Sequence, residues 1–552
     1  MRSSWFRDAV IYQLDPRLFH DADDDGWGDL RGATERLHYL RGLGATCVWL
    51  LPFYVSPFRD GGYDVADHLA VDPRLGDLAD VARLLEKADD LGLHVLVELV
   101  SQHTSDQHRW FQEARSDRRS PYRDYYLWSD EPKDDIEPMF PDVEPRTWTW
   151  DEEAQQFYRH AFYAHEPDLA LDNPRVRAEL HRIVSFWLRL GVSGFRVDAV
   201  PLMVERARAA RPDTDGQWLV QDLRSAVSAQ SAGAVLLGEV DVEPDGYADY
   251  FGTGDGPGMT MLLDFWSNNH LFLALARGQA EPLVRALRAQ PAPPPGASYA
   301  QWLRNNDELD LERLSKDERQ EVLDAFAPAE SMRLYGRGLR RRLAPMLDGD
   351  LRRIALAHAV MFSLPGPPVL RYGDEIGMGD DLGLPEREAV RTPMQWASTP
   401  SGGFSQAAPD RFPAPVITGE YGPERVSVDD QMVHEGSLLQ RVGGLVRARL
   451  GLSELGRTRP EPQDVGAASV LALRYQEDES AVLLLANLAG EDAVATLPSD
   501  DITELRAGRV RFVDVHVDQD YPAVEADGRV PLAGYGYRWL RRTTGGGSGA
   551  GT

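Results

Sequence analysis

Three acidic residues sit at the ends of otherwise apolar runs. They are Asp198 in Gly194-Phe195-Arg196-Val197-Asp198, Glu239 in Leu236-Leu237-Gly238-Glu239, and Asp307 in Arg304-Asn305-Asn306-Asp307-Glu308. A pair of carboxylates, one ionised and one protonated, is what glycosyl transfer requires. The nucleophile must be held anionic, and Arg196, two residues before Asp198 on the same strand face, can supply the field. Glu239, on an apolar strand, suits a proton donor because desolvation raises a carboxyl. Any one of the three could instead cap a loop or pair with Arg. Three on separate strands, at equivalent ends, argue for one shared mouth.

The elements that must position them can be read from periodicity. Short apolar runs at residues 9–14, 46–51, 94–100, 194–200, 234–240, 261–265, 299–303 and 368–372 read as strands. Helical patterns at 30–43, 78–91, 174–190, 217–229, 268–289 and 350–364 lie between them. Eight such βα units predict a closed parallel (β/α)8 TIM barrel, over residues 1–103 and 174–420, with reactive groups at the C-terminal strand ends. Residues 104–173, rich in Asp, Tyr, Trp, Pro and Arg, are too long for a bare loop and predict an inserted subdomain. Residues 421–542 predict a leading helix and then a C-terminal antiparallel β-sandwich. Residues 543–552 read as a flexible Gly-rich tail.

The chain has 552 residues, with 59 Lys plus Arg against 88 Asp plus Glu, a formal charge of −29. With 43 % hydrophobic and 27 % charged residues it is globular in composition. The acidity argues against nucleic acid or an anionic membrane as partner and fits a neutral ligand. Cys47 is the single cysteine, so no intrachain disulfide or Cys-rich zinc site can form. It stands in the apolar run Cys47-Val48-Trp49-Leu50-Leu51, as a buried structural thiol would. No apolar signal core precedes Asp8 and no apolar run approaches the ~20 residues that span a bilayer, so a cytoplasmic location is expected. The oligomeric state is left open, a homodimer included.

Several motifs in order resemble glycoside hydrolase family 13, the α-amylase family, and within it the trehalose synthases. They are Trp5-Phe6-Arg7-Asp8-Ala9-Val10-Ile11-Tyr12, Gly62-Tyr63-Asp64-Val65-Ala66-Asp67, His103-Thr104-Ser105, the three carboxylate motifs above, Tyr372-Gly373-Asp374-Glu375-Ile376-Gly377-Met378 and Arg391-Thr392-Pro393-Met394-Gln395-Trp396. The resemblance covers roughly residues 5–410. It implies Asp198 as the nucleophile of a β-glucosyl-enzyme, Glu239 as general acid/base and Asp307 as the carboxylate holding sugar hydroxyls. It implies Tyr63 under the reacting glucose, Asp64 and Arg391 as the pair closing that subsite, and Arg196, His103 and Asn306 as further substrate-binding residues. It calls for no organic cofactor.

Asp21-Ala22-Asp23-Asp24-Asp25-Gly26-Trp27-Gly28-Asp29 has the spacing of an EF-hand-like loop, suited to a hard cation. Gly32 at the twelfth position excludes a complete EF-hand. The resemblance implies Ca2+, or Mg2+, held by Asp21, Asp23, Asp25, Asp29 and the Trp27 carbonyl. It implies a second ion held by Gln102, Asp168, Glu205 and the carbonyls of Leu202 and Met203, tying the insertion to the barrel.

The chain departs from the family in three places. Asn306 replaces the usual His before the third carboxylate. Glu98 and Gln102 replace a shorter Asp and Asn at the end of the third strand, moving those head groups by on the order of 1.5 Å. The segments 332–343 and 377–386 are expected to close the site, and Val240-Asp241-Val242 to lie on its acceptor side. Three functions remain open on these grounds. They are glucosyl transfer or isomerisation between disaccharides such as maltose and trehalose, hydrolysis of small α-glucosides, and a catalytically weakened sugar-binding protein.

Overall fold

The computed structural model describes residues 5–133, 136–253, 256–478 and 480–544, with Thr253 by its backbone alone. The glycine-rich end of the predicted tail lies outside these residues. Eight strands close a parallel barrel: β1 (Ile11–Leu14), β2 (Cys47–Leu50), β3 (His94–Leu99), β4 (Gly194–Val197), β5 (Val235–Gly238), β6 (Met261–Leu263), β7 (Ser298–Trp302) and β8 (Pro368–Arg371). Each pairs with its neighbours in sequence, and β8 closes on β1 through Ile11↔Val369 and Tyr12↔Leu370. All eight fall within the runs read from sequence, to within a residue at β7. Their side chains are almost wholly buried, as strands covered on both faces must be.

The outer helices begin and end where local chemistry dictates. Asp29 accepts from Gly32 N to open Leu30–Leu43, and Gly44, at φ 105°, closes it in the left-handed region. Asp77 and Asp80 form a reciprocal capping box for Leu78–Asp90. Asn173 caps Pro174–Leu190, whose proline stands where no N–H is needed. The single helix expected over 268–289 is two. Phe265–Arg277 stops at Gly278, at φ 63°, and Glu281–Ala289 follows.

Between β3 and β4 the insertion carries a helix, Arg109–Ser116, and a three-stranded antiparallel sheet, ordered Trp128–Ser129, Gln156–Arg159, Trp148–Asp151. After the barrel, helix Leu438–Leu450 packs on helix Leu351–Ser363. An antiparallel five-stranded sheet follows, ordered Glu461–Pro462, Val470–Glu477, Ser480–Asn487, Tyr537–Thr544, Val510–Val517. Its strand alternation serves two cores. Leu483 and Leu485 face a separate cluster shared with the ladder of Ala493–Thr496 and Arg529–Leu532. Val482, Leu484 and Ala486 join the main core on the barrel side. None of the described helices is long and apolar enough to cross a membrane.

Candidate active site

The register of β4 and β5 brings Asp198 and Glu239 together. Arg196 pairs with Leu237 and Val197 with Gly238, so both acids follow directly on adjacent strands. Glu239 N donates to Val197 O at 3.0 Å and Val200 N to Glu239 O at 3.1 Å. Between them Ala199 takes φ 46°, a conformation rare for a residue with a Cβ, and its N–H donates to Glu239 Oε2 at 3.1 Å. One guanidinium serves both carboxylates: Arg196 reaches Asp198 Oδ1 at 2.5 Å and Glu239 Oε2 at 2.7 Å. Its third partner is Glu98 Oε2, at 3.0 Å, placed opposite by the β3–β4 register.

Of these groups Asp198 and Glu239 line a cavity of about 330 Å³ at the C-terminal ends of the strands. Tyr63, His103, Asp307, Asp60, Glu308, Arg337 and Arg387 line it as well. Burial pushes Glu239 up to about 7, with the Asp198 charge adding and Arg196 opposing. That is the range a proton donor needs near neutrality. Burial also raises Asp198, against the pull of Arg196. Asp307 goes the other way: Arg387 and Arg391 outweigh its burial and hold it below the usual carboxylate range. Arg391 Nη2 donates to Asp307 Oδ1 at 2.8 Å, and Arg387 lies 3.3 Å from the same oxygen. His103 is kept neutral by burial, at about 4, and its Nε2 lies 3.2 Å from the Tyr63 carbonyl.

Two expectations are corrected. Asp64 does not pair with Arg391. It is fully buried behind the cavity, accepting from Ser56 Oγ at 2.8 Å and Arg59 N at 3.2 Å, with Arg59 Nε at 3.3 Å. The partner of Arg391 is Asp60, at 2.9 Å, and Asp60 lines the cavity. The turn Asp60-Gly61-Gly62-Tyr63 gives the two carboxylates different partners, Arg391 for Asp60 and Ser56 with Arg59 for Asp64. Asn306, expected on the sugar, does not line the cavity. Its Oδ1 accepts from Gln13 Nε2 at 3.1 Å and its Nδ2 lies 3.4 Å from the Tyr63 hydroxyl, which donates to Glu98 at 3.1 Å. Position 306 thus acts behind Tyr63.

The second metal site also differs from expectation. Arg159, 2 % exposed, stands between the intended acidic ligands, 3.7 Å from Asp168 and 3.1 Å from Glu205. Its guanidinium supplies the positive charge, and a divalent ion beside it would be repelled. Gln102 is buried against Asp168, and Leu202 and Met203 sit in the helix Val200–Ala210 with Glu205. Gln102 Oε1 and Asp168 Oδ2 are buried without a hydrogen-bond partner, and Arg159 is the cation set against these ligands. The first loop fits a metal ion. Oxygens of Asp21, Asp23 and Asp29 lie within 4.8 Å of one another, a hard donor set. Trp27 falls within the same turn, while Asp25 is engaged by its N–H at 2.7 Å.

Further residues stand at the site, of which only Asp241, expected on the acceptor side, was named from the sequence. Asp241, Asp310 and Glu312 cluster on one wall and are answered by Arg313, 3.0 Å from Asp241, and Arg337, 2.6 Å from Asp310. Glu166 is buried 3.7 Å from His103. The segments expected to close the site meet at one oxygen. Tyr163 of the insertion and Tyr335 donate to Glu386 Oε2 at 2.6 and 2.8 Å. Phe140 packs against both rings, and Arg387 covers it at 4.6 Å.

The α-amylase catalytic-domain model matches residues 13–286. The chain is 38 % identical to the trehalose synthase of Pimelobacter sp. over 98 % of its length and 96 % of that protein's. It is 41 % identical to the trehalose synthase/amylase TreS of Mycolicibacterium smegmatis, over 86 % of this chain and 80 % of that one. The crystal structure of an α-amylase from H. orenii superimposes with a TM-score of 0.78 at 24 % identity, covering 97 % of this chain and 99 % of that one. The barrel agrees with the structural likeness, and by these relatives the chain belongs to the α-amylase family of glycoside hydrolases, close to the trehalose synthases.

Proposed function

We propose that this enzyme is a retaining glucosyl transferase of trehalose-synthase type, interconverting disaccharides such as maltose and trehalose. The observation that carries the reading is the Arg196 guanidinium, bound at once to Asp198 and Glu239, two carboxylates that line the cavity. Asp198 attacks the anomeric carbon while Glu239 gives its proton to the glycosidic oxygen. The bond to the leaving sugar breaks and a β-glucosyl ester of Asp198 forms. Glu239, now ionised, takes a proton from an incoming sugar hydroxyl, which displaces Asp198 with net retention. Arg196 spreads its charge over both carboxylates, so that neither must ionise unpaired in a buried site. Asp307, held anionic by Arg387 and Arg391, accepts from sugar hydroxyls; Tyr63 forms the floor. Tyr163, Tyr335 and Glu386 keep released glucose inside and water out.

The Asp21 loop is read as holding a structural Ca2+, or Mg2+, through Asp21, Asp23 and Asp29. The ion's charge would relieve repulsion among these carboxylates and hold the turn before helix Leu30–Leu43. The same reading keeps the enzyme in the cytoplasm with a small sugar as its partner; its one cysteine, buried, needs no oxidising compartment. Incubation with maltose, trehalose, sucrose and maltotriose, followed by product separation, tests the reaction. An isomeric disaccharide is expected from maltose. Free glucose alone would make the enzyme a hydrolase, and sugar binding without turnover would remove the mechanism.

A further inference from the structure

Behind the sugar-holding end of the site, three arginines are buried together. Arg304 follows β7, Arg342 precedes the short helix Leu343–Met346, and Arg371 ends β8. None is more than 1 % exposed. Arg342 and Arg371 both lie against the Tyr372 ring, at 5.1 and 5.5 Å from its centre. Arg304 Nε donates to the carbonyl of Arg341, the neighbour of Arg342, at 2.8 Å. Burial lowers Arg371 to about 9, with the charges of Arg342 and Arg304 adding. Burial lowers Arg304 to about 10, and Arg342 adds there too.

Opposing charge is short. Among the described residues the three make one ion pair, Arg342 Nε to Asp374 Oδ1, at 3.6 Å. Asp307 and Glu308, the other acids that act on Arg304, are engaged by Arg391, Arg387 and Arg337. Three guanidiniums against one carboxylate leave two positive charges, and a guanidinium does not shed its proton. Arg304 Nη1, Arg342 Nε, Arg371 Nε and Arg371 Nη1 are buried without a hydrogen-bond partner in the chain. Water can accept from such groups, but it cancels no charge.

The geometry points to a buried anion site among Arg304, Arg342 and Arg371, taking a small monovalent inorganic anion such as chloride. Its position gives it a hold on the catalytic end of the barrel. Arg304 Nη2 donates to the carbonyl of Asp307 at 2.8 Å. Arg371 Nη2 donates to the carbonyl of Val390, one residue before Arg391. An anion that steadies these guanidiniums steadies the backbone under Asp307 and Arg391 together.

Thermal unfolding of the full chain and of Arg371→Gln, in sodium glutamate with increasing sodium bromide at fixed ionic strength, tests this. The midpoint of the parent is expected to rise saturably with bromide, and that of Arg371→Gln to stay flat. Crystals grown in bromide are expected to show an anomalous peak among the three guanidiniums. No peak there overturns the proposal and leaves internal water as the partner of these N–H groups. A bromide response carried over unchanged into Arg371→Gln overturns it too, by placing the anion elsewhere. If Arg371→Gln does not fold, the anomalous peak of the parent decides alone. Neither measurement depends on which sugar reaction the enzyme performs.

Discussion

Replacing Glu98 by Gln removes one ionisable group from the Arg196 cluster while keeping the side chain's volume and one acceptor oxygen. Glu98 is 1 % exposed, and burial pushes it from 4.5 up to about 8 against the pull of Arg196. The unfolded chain therefore releases this proton near pH 4.5 and the folded chain near pH 8. Between those values folding must take up a proton. The contribution to stability is whole below about pH 4.5, drains as pH rises, and is gone above about pH 8. At ~1.4 kcal/mol per unit, the full window amounts to ~5 kcal/mol at most. Gln has no such slope. At pH 5 the variant is expected to lie below the parent by ~1–3 kcal/mol, because its amide NH2 cannot accept from Trp49 Nε1 or Arg196. From pH 5 to 8 it is expected to gain on the parent by up to ~4 kcal/mol. Calorimetric midpoints of both proteins at four pH values, at one ionic strength, read the difference directly. Midpoints serve better than extrapolated free energies here, since two-state analysis does not extend to a chain of this size. Parallel pH dependences would refute the reasoning. They would mean that Glu98 is ionised throughout and competes with Asp198 and Glu239 for Arg196.

Asp198→Asn is expected to cut turnover on the order of 10³-fold or more with an unchanged far-ultraviolet spectrum; full activity there would remove the nucleophile assignment. Asp60→Ala and Asp64→Ala are expected to separate. The first raises KM by roughly tenfold through Arg391, and the second lowers the melting midpoint by the equivalent of ~1–3 kcal/mol while its intact fraction binds sugar normally. Equal effects on KM would restore Asp64 to the subsite. Elemental analysis after dialysis is expected to find one divalent cation per chain, and Asp21→Ala to lose it. Two ions per chain would show that Arg159 does not displace the second.

The barrel was legible because its strands are buried on both faces and so read as short, mostly apolar runs, broken by single polar residues such as Gln13, Arg196 and Gln301. The same simplicity concealed the break at Gly278, where the apolar spacing continues across a residue whose φ of 63° ends the helix. Asp198, Glu239 and Asp307 could be picked out because three carboxylates recur at equivalent ends of separate runs, where any one alone could cap a loop or pair with Arg. Asp60 and Asp64 could not be told apart, since the turn between them, not the spacing, decides which meets Arg391. Arg159 was invisible for another reason. Nothing in Phe157-Tyr158-Arg159-His160 reveals that folding sets it between residues 168 and 205. Asn306 reads as a weakened sugar ligand in sequence, whereas the structure gives it to Gln13 and Tyr63.

Glu386 is tied by its two tyrosines to stretches of chain that lie 51 and 223 residues away. Neither tyrosine can leave alone without stripping a partner from the same oxygen and loosening Phe140 between them. The three side chains are therefore expected to hold or yield together, so that the insertion and the segments 332–343 and 377–386 act as one unit at this end of the site.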